Sequence, residues 1–437
     1  MATVQQRRGD WDNNITMTLR IERSLRQGMT VAILREGGKY MHREIVFVSA
    51  LALTMIWPAF TPAQSLSSGL VPNSRASQID LKKLTKKANS GDTAAQYKLG
   101  YAYHFGVGVD KNVYQAIEWY RKAANYGDPA AQTNLGYIYE TGPEAVKDLH
   151  EAVKWYMRAA ISGSPEGALN LGLAYLHGTG ANQSIDDARQ WIGRAADADC
   201  PAGLATLAYL YALGKGVPQD SQQAQKLALK AAKKNNPEAQ TILGILYAQD
   251  SSALSDQGEA VKWFLKAAEG GSVTGQYLLG FMYEKGKGVK KDAEVAVRQY
   301  RLAAENGLKQ AQATLGQIYE LGEIVEPNYE EAEKWYRRAI QQGDTRCATR
   351  LGAMFIHGKG RRRDFQEAIK LWSWAADRGD AYAQFNLAGM YMAGVSVQRD
   401  LGKAYSLITS AGKTLDVSKQ LSELSSKMNP DELAKLQ

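Results

Sequence analysis

The chain has 437 residues, 45% of them hydrophobic and 22% charged, with a formal net charge of +8. That composition excludes an intrinsically disordered chain. Acids and bases are interspersed through most of it, which argues against a nucleic-acid binder with a concentrated basic face, and two cysteines argue against a disulfide-built framework.

From the N-terminus, residues 1–40 are polar and contain several arginines. Met41 then opens a run with the three parts of a secretory signal peptide: a short basic lead at His42 and Arg43, an apolar run from Ile45 to Phe60, and small residues at Thr61 and Ala63. The apolar run is short for a membrane span, which needs about twenty apolar residues. The expectation is cleavage after Ala63, with an uncleaved anchor as the competing reading. A polar segment in front of a signal peptide is unusual, so Met41 reads as the true start and residues 1–40 as a disordered, mis-assigned upstream extension. Residues 64–77, rich in Ser with Gly69 and Pro72, read as a linker. Ile79–Asn89 resembles the second helix of a pair whose first helix is missing, as at the cap of a repeat array.

The remainder is periodic. Steps of 36 residues from Gly100 land on Gly136, Gly172, Ala208, Gly244, Gly280, Gly316, Gly352 and Ala388. Leu precedes all nine of these positions, and an aromatic residue, Tyr in all but Phe355, stands three residues after each. A period of that length, kept without insertion, is the signature of a solenoid. In each unit a helix A, about 93–103 in the first copy, places Ala95, Leu99 and Tyr103 on one face and ends at a glycine column: Gly106, Gly142, Gly178, Gly214, Gly286, Gly322, Gly358 and Gly394. These glycines are expected in the left-handed conformation of a helix C-terminus. Helix B carries an alanine column from Ala116 to Ala404, and three residues on come Trp119, Trp155, Trp191, Trp263 and Trp335, read as core wedges. The Asp or Ser after the closing glycine, as in Gly127-Asp128 and Gly163-Ser164, caps the next helix A. Cys347 lies in a column of small residues and reads as packing; a bridge to Cys200, four repeats away, would exceed the reach of a disulfide. After Lys413 the repeat stops, and Val417–Met428 and the stretch from Asn429 read as capping helices. The predicted domains are therefore residues 78–413 as solenoid and 414–437 as cap.

The pattern A-x-x-x-L-G-x-x-Y-x-x-G-x-G-V followed by A-x-x-W-Y-x-x-A-A-x-x-G-D resembles the Sel-one-like repeat, a relative of the tetratricopeptide repeat. The resemblance implies an all-α, right-handed superhelical solenoid of about nine antiparallel helix pairs. Its concave surface would be lined by the A helices and bind other proteins. It also implies an exported bacterial protein acting in envelope regulation, envelope assembly or host contact.

A search for chemistry finds little. No pair among His42, His104, His150, His177 and His357 has metal-ligand spacing, Gly412-Lys413-Thr414 lacks the glycine a phosphate loop needs, and no titratable cluster converges. The expectation is a non-enzymatic protein with no cofactor and no metal. The alternative is a hydrolase or cell-wall-ligand binder of the type found among cysteine-rich, β-lactam-linked relatives, whose paired cysteines this chain lacks. The expected partner is a protein or peptide, not a nucleic acid, with membrane association only through an uncleaved signal or a membrane-protein partner. Two columns that vary between copies are candidates for contact in the groove: Tyr101, Tyr137, Tyr209 and Phe281 one residue after the anchor, and Asn134, Asn170 and Asn386 two before it. A second candidate is a basic rim formed by Lys285, Lys287, Lys290 and Lys291 in one loop and Lys359, Arg361, Arg362 and Arg363 in another, diluted by Glu323 and Glu326 between them.

Overall fold

A computed structural model describes residues 81–249 and 254–436, which fall into two compact units, residues 81–291 and residues 292–436. The expected extension, signal peptide and linker lie outside the described residues. Every regular element among the described residues is an α-helix.

The first unit holds α1 (Leu81–Asn89), α2 (Thr93–Phe105), α3 (Val113–Asn125), α4 (Pro129–Thr141), α5 (Leu149–Ile161), α6 (Pro165–His177), α7 (Ile185–Asp197), α8 (Pro201–Leu213), α9 (Ser221–Ala232), α10 (Pro237–Ala248), α11 (Gln257–Glu269) and α12 (Val273–Lys285). The second holds α13 (Ala293–Glu305), α14 (Lys309–Leu321), α15 (Tyr329–Gln341), α16 (Thr345–His357), α17 (Phe365–Ala376), α18 (Ala381–Ala393), α19 (Leu401–Ala411), α20 (Ser418–Ser425) and α21 (Pro430–Ala434). In the first unit the even-numbered helices are the A helices. From α2 to α10 each packs on the B helix that follows it, and successive A helices also touch one another from α2 through to α12. The contacts are between neighbours in sequence, as nearest-neighbour stacking requires.

Local chemistry explains the boundaries. All nine B helices from α3 to α19 begin on an Asn, Asp or Ser whose side chain accepts from a first-turn amide, a contact typically worth about 1 kcal/mol. The A helices are capped by Asp92, Asp128, Ser164, Asn236, Ser272, Asp344 and Asp380, but Cys200 and Leu308 make no side-chain cap. The glycine column takes the left-handed conformation at Gly106, Gly178, Gly214, Gly286, Gly322, Gly358 and Gly394. Gly142 departs from that expectation, with φ −67° and ψ 179°. Pro143 follows it, and the proline ring drives its predecessor into extended backbone.

The core follows the columns. Helix B alanines are sealed, with Ala116, Ala188, Ala224, Ala260, Ala296, Ala332, Ala368 and Ala404 at 0% exposure. Trp119, Trp155 and Trp335 are buried, while Trp191 and Trp263 are half-buried. Each of the five lies under a cation three residues on: Lys122, Arg158, Arg194, Lys266 and Arg338 stand 3.8–4.7 Å from the ring centroids. The wedges thus face the core on one side and are roofed on the other by a contact worth roughly 0.5–1 kcal/mol at an exposed site. Cys200 and Cys347 are buried free thiols.

The tyrosine after the anchor reaches back to the previous B helix: Arg121 donates to the Tyr139 hydroxyl at 2.6 Å, Gln225 to Tyr247 at 2.9 Å, and Arg301 to Tyr319 at 2.6 Å. A second tie comes from glutamine. Gln96, Gln132, Gln312 and Gln384 each donate through Nε2 to the carbonyl eight residues earlier, at 3.0–3.2 Å, satisfying an open carbonyl at the end of the preceding B helix.

The end of the second unit is closed by α20 and α21. Val417, Leu424 and Met428 are buried against Phe385, Ala388, Ile408 and Ala411. The helix expected over residues 417–428 is shorter, Ser418–Ser425.

Candidate partner-binding face

The predicted groove residues divide by burial. Tyr101, Tyr137 and Phe281 are half-buried, whereas Tyr209, Asn134, Asn170 and Asn386 are buried, Asn170 at 0% and Tyr209 at 1%. In this conformation those four side chains are not at the surface. Nδ2 of Asn134 and of Asn386 is buried with no hydrogen-bond partner. The Tyr97 hydroxyl lies close enough to sense the Asn134 amide but not in hydrogen-bond geometry.

The structure gathers the first two of these tyrosines into a cluster with residues the column pattern did not single out. Tyr101 and Phe105 are one turn apart on α2, with ring centroids at 4.6 Å. His104 lies 4.3 Å from Phe105, 5.8 Å from Tyr137 on α4 and 6.0 Å, edge-on, from Tyr120 on α3. Phe105 is 47% exposed, a large aromatic left at the surface, and His104 beneath it is 8% exposed with Nδ1 unpartnered. Burial, reinforced by Lys111, pushes the His104 pKa down to about 4, so the ring is neutral at physiological pH. The cluster is an aromatic surface with one buried polar atom under it. Phe281, farther along the unit, has the Lys285 ammonium 6.0 Å from its ring.

The next step along the same helix column replaces His104 by Glu140. Its Oε2 accepts from the Tyr156 hydroxyl at 2.7 Å. Burial raises the Glu140 pKa above the usual carboxylate value, against the opposing pull of the Tyr156 hydrogen bond and Lys147.

The second unit holds the same carboxylate position in a different state. Glu320 is 8% exposed and accepts from Tyr336 Oη at 2.8 Å, from Arg350 Nε at 3.0 Å and, on its other oxygen, from Lys359 Nζ at 3.1 Å. Burial opposes its ionisation, but Arg350, Lys359 and the Tyr336 hydroxyl together outweigh burial and hold the carboxyl below its usual range.

The basic loops are partly neutralised from within. Lys285 pairs with Glu284 at 2.8 Å, Lys359 with Glu320, and Arg361 with Glu333 at 2.6 Å. Lys290, Lys291, Arg362 and Arg363 are exposed, and Lys287 is half-buried. Among the described residues no group of three or more His, Cys, Asp or Glu side chains is arranged to hold a metal ion.

His104, Phe105 and Glu140 were not singled out in the sequence for binding. A signal was present: the column four residues after the anchor reads His104, Glu140, Leu176, Ala212, Ala248, Glu284, Glu320, Ile356 and Met392. It is acidic in three copies and otherwise mostly apolar.

Comparison with known proteins bears on the fold. The Sel1 repeat matches nine consecutive segments, residues 93–128, 129–164, 165–200, 201–236, 237–272, 273–308, 309–344, 345–380 and 381–413. Among solved structures, the chain is similar to c5321, a protective antigen of uropathogenic Escherichia coli strains with an SLR fold, at 28% identity over 93% of each chain and a TM-score of 0.48. It is similar to a Sel1 repeat protein of Oxalobacter formigenes at 26% identity, covering 83% of this chain and 93% of that one, TM-score 0.48. Human IFIT1, solved as a dimer with PPP-AAAA, shares the fold at 14% identity, covering 87% of this chain and 94% of that one, TM-score 0.50. No curated protein sequence matches. With nine matched segments spanning residues 93–413, the chain belongs to the Sel1 repeat family.

Proposed function

We propose that this protein is a non-enzymatic adaptor that holds an extended segment of a partner protein against the A-helix face of its first unit, in the bacterial envelope. The observation that carries the reading is the cluster of Tyr101, His104, Phe105 and Tyr137, where aromatic surface remains exposed above a buried, unpartnered polar atom. Stacked helical repeats of this kind are used for protein–protein interaction, and aromatic side chains of this sort anchor interfaces. Replacing Tyr101, Phe105 and Tyr137 together by Ala is expected to abolish capture of the partner by crosslinking in the native envelope, with helicity by circular dichroism unchanged. Undiminished crosslinking by a folded triple variant defeats the reading.

Export rests on the sequence of residues 41–63. N-terminal sequencing of protein from the envelope fraction is expected to begin at Gln64. A start at Met41 in a membrane-bound form favours the anchor, and a start upstream of Met41 defeats the assigned start.

A further inference from the structure

The two units carry the same acidic cradle, occupied in one and open in the other. In the second unit a carboxylate on an A helix, Glu320, takes a hydrogen bond from the tyrosine sixteen residues on, a guanidinium thirty residues on and an ammonium thirty-nine residues on. Shifting each of these positions back by five repeats gives Glu140, Tyr156, Asn170 and Thr179. The carboxylate and its tyrosine remain, in the same geometry: 2.7 Å at Glu140 and 2.8 Å at Glu320. Both cations are gone. Among the described residues Tyr156 is the one group that hydrogen-bonds Glu140, and no ion pair forms on it. A carboxylate has room for about four hydrogen bonds. Lys147 is near enough to favour the ionised form of Glu140 but forms no ion pair with it, so the carboxylate has exchanged water for a single neutral hydrogen bond.

The surroundings favour one kind of occupant. Tyr137 stands three residues before Glu140 on the same face of α4, and its ring lies 5.8 Å from that of His104. Aromatic faces beside an open carboxylate suit the stem and head of a long basic side chain, which needs both apolar cover and an anion. The next positions of the column, Leu176, Ala212 and Ala248, are apolar, so the acid is isolated and selects a single charge at a fixed register. Arg350 on Glu320 shows, within this chain, that such a carboxylate–tyrosine pair accommodates a guanidinium.

We infer that Glu140 is the receptor for one arginine or lysine side chain of the extended partner segment, with the half-buried Tyr137 beside it and the buried Tyr156 hydroxyl fixing the carboxylate from within. The inference rests on the groove reading above and adds the chemical identity of one partner residue to it.

The test uses a displayed random dodecapeptide library selected on the immobilised full chain, followed by titration of the best synthetic peptide and its arginine-to-citrulline or lysine-to-norleucine counterpart. A basic residue is expected at one recurrent position. Its neutral replacement is expected to weaken binding by about tenfold or more, in line with a charge-assisted hydrogen bond. Glu140→Gln, which keeps the shape and the Tyr156 contact, should weaken the basic peptide by the same factor and leave the neutral one unchanged. Asn170→Arg, which supplies the chain's own guanidinium where Arg350 stands in the other unit, should occlude the site and abolish the preference. Peptides that bind without a basic position, or that are indifferent to Glu140→Gln, overturn the inference and leave the groove reading standing. Failure of the library to yield any binder overturns both.

Discussion

Glu140 and Glu320 are the same residue in the same register, and their environments push their pKa values in opposite directions. Glu320, held down by Arg350, Lys359 and Tyr336 against the cost of burial, contributes stability that is fully present above the unfolded carboxylate pKa, about 4.3. That contribution is lost as pH falls through its depressed folded value. Glu140, raised chiefly by burial, does the reverse: its cost is absent below about pH 4.3 and complete once pH exceeds its raised folded value. Melting curves across that range should therefore show Glu140→Gln equal to the parent in acid and at least as stable at pH 7. Glu320→Gln should be destabilised at pH 7 by about 2–3 kcal/mol, because it strands a largely buried Arg350, and this deficit should shrink as pH falls below about 4. A Glu140→Gln variant less stable at pH 7 than the parent would mean that the carboxylate is a structural group. The sequence did not disclose this contrast. A column shows which residue types repeat, but the partners come from residues sixteen and thirty positions away, and Asn170 against Arg350 decides the outcome.

At the scale of the helix pair, the anchor column and the core of helix B are a matched set rather than two independent patterns. A Cβ on Gly136 would meet Tyr156 at 2.5 and 2.6 Å, and the ring cannot swing aside freely because Glu140 holds its hydroxyl. The copy that carries alanine at the anchor, Ala208, has Ala228 where Tyr156 stands, and both are 0% exposed. Ala388 opposite Ile408 shows that an aliphatic side chain yields where a ring does not. Gly136→Ala is thus expected to cost about 1–3 kcal/mol by overpacking. In a Tyr156→Ala background, itself destabilised by roughly 3–5 kcal/mol, the same change should cost nothing. Denaturant melts of the four proteins of this cycle give the coupling directly, and strict additivity would sink the matched-set account. The period, the helix pair, the small columns and the tryptophan wedges were legible in the sequence, because stacking imposes the same contact on every copy. The left-handed glycines were legible too, except Gly142, where Pro143 overrides the pattern. The burial of Tyr209 and Asn170 was not, since a column that varies between copies reads as surface even where it packs between helices.

A solenoid has no closed core, so its ends are its weak points, and a terminal helix must hide the face that the last repeat would otherwise offer to water or to another chain. In the second unit α20 and the residues flanking it do this with Val417, Leu424 and Met428, covering Ile408 and Ala411 of α19 and Phe385 of α18. The sequence identified a cap here from the end of the repeat and from the Asn429-Pro430 start signal. The inner face of that cap is apolar. Three buried apolar side chains contribute, at about 1.5–3 kcal/mol each, roughly 4.5–9 kcal/mol that removal of residues 414–437 would forfeit. Hydrogen exchange on the truncated chain should show α18 and α19 losing protection by that amount. Helices α2 to α6 should keep theirs, because stability in a stacked array is a sum of neighbouring interfaces and the cap borders on the last. The same truncation should raise the tendency to self-associate, read by light scattering, since it uncovers Ile408, Ala411 and Phe385 together. Unchanged exchange in α18 and α19 would show that α20 is an appendage and that the last repeat closes itself.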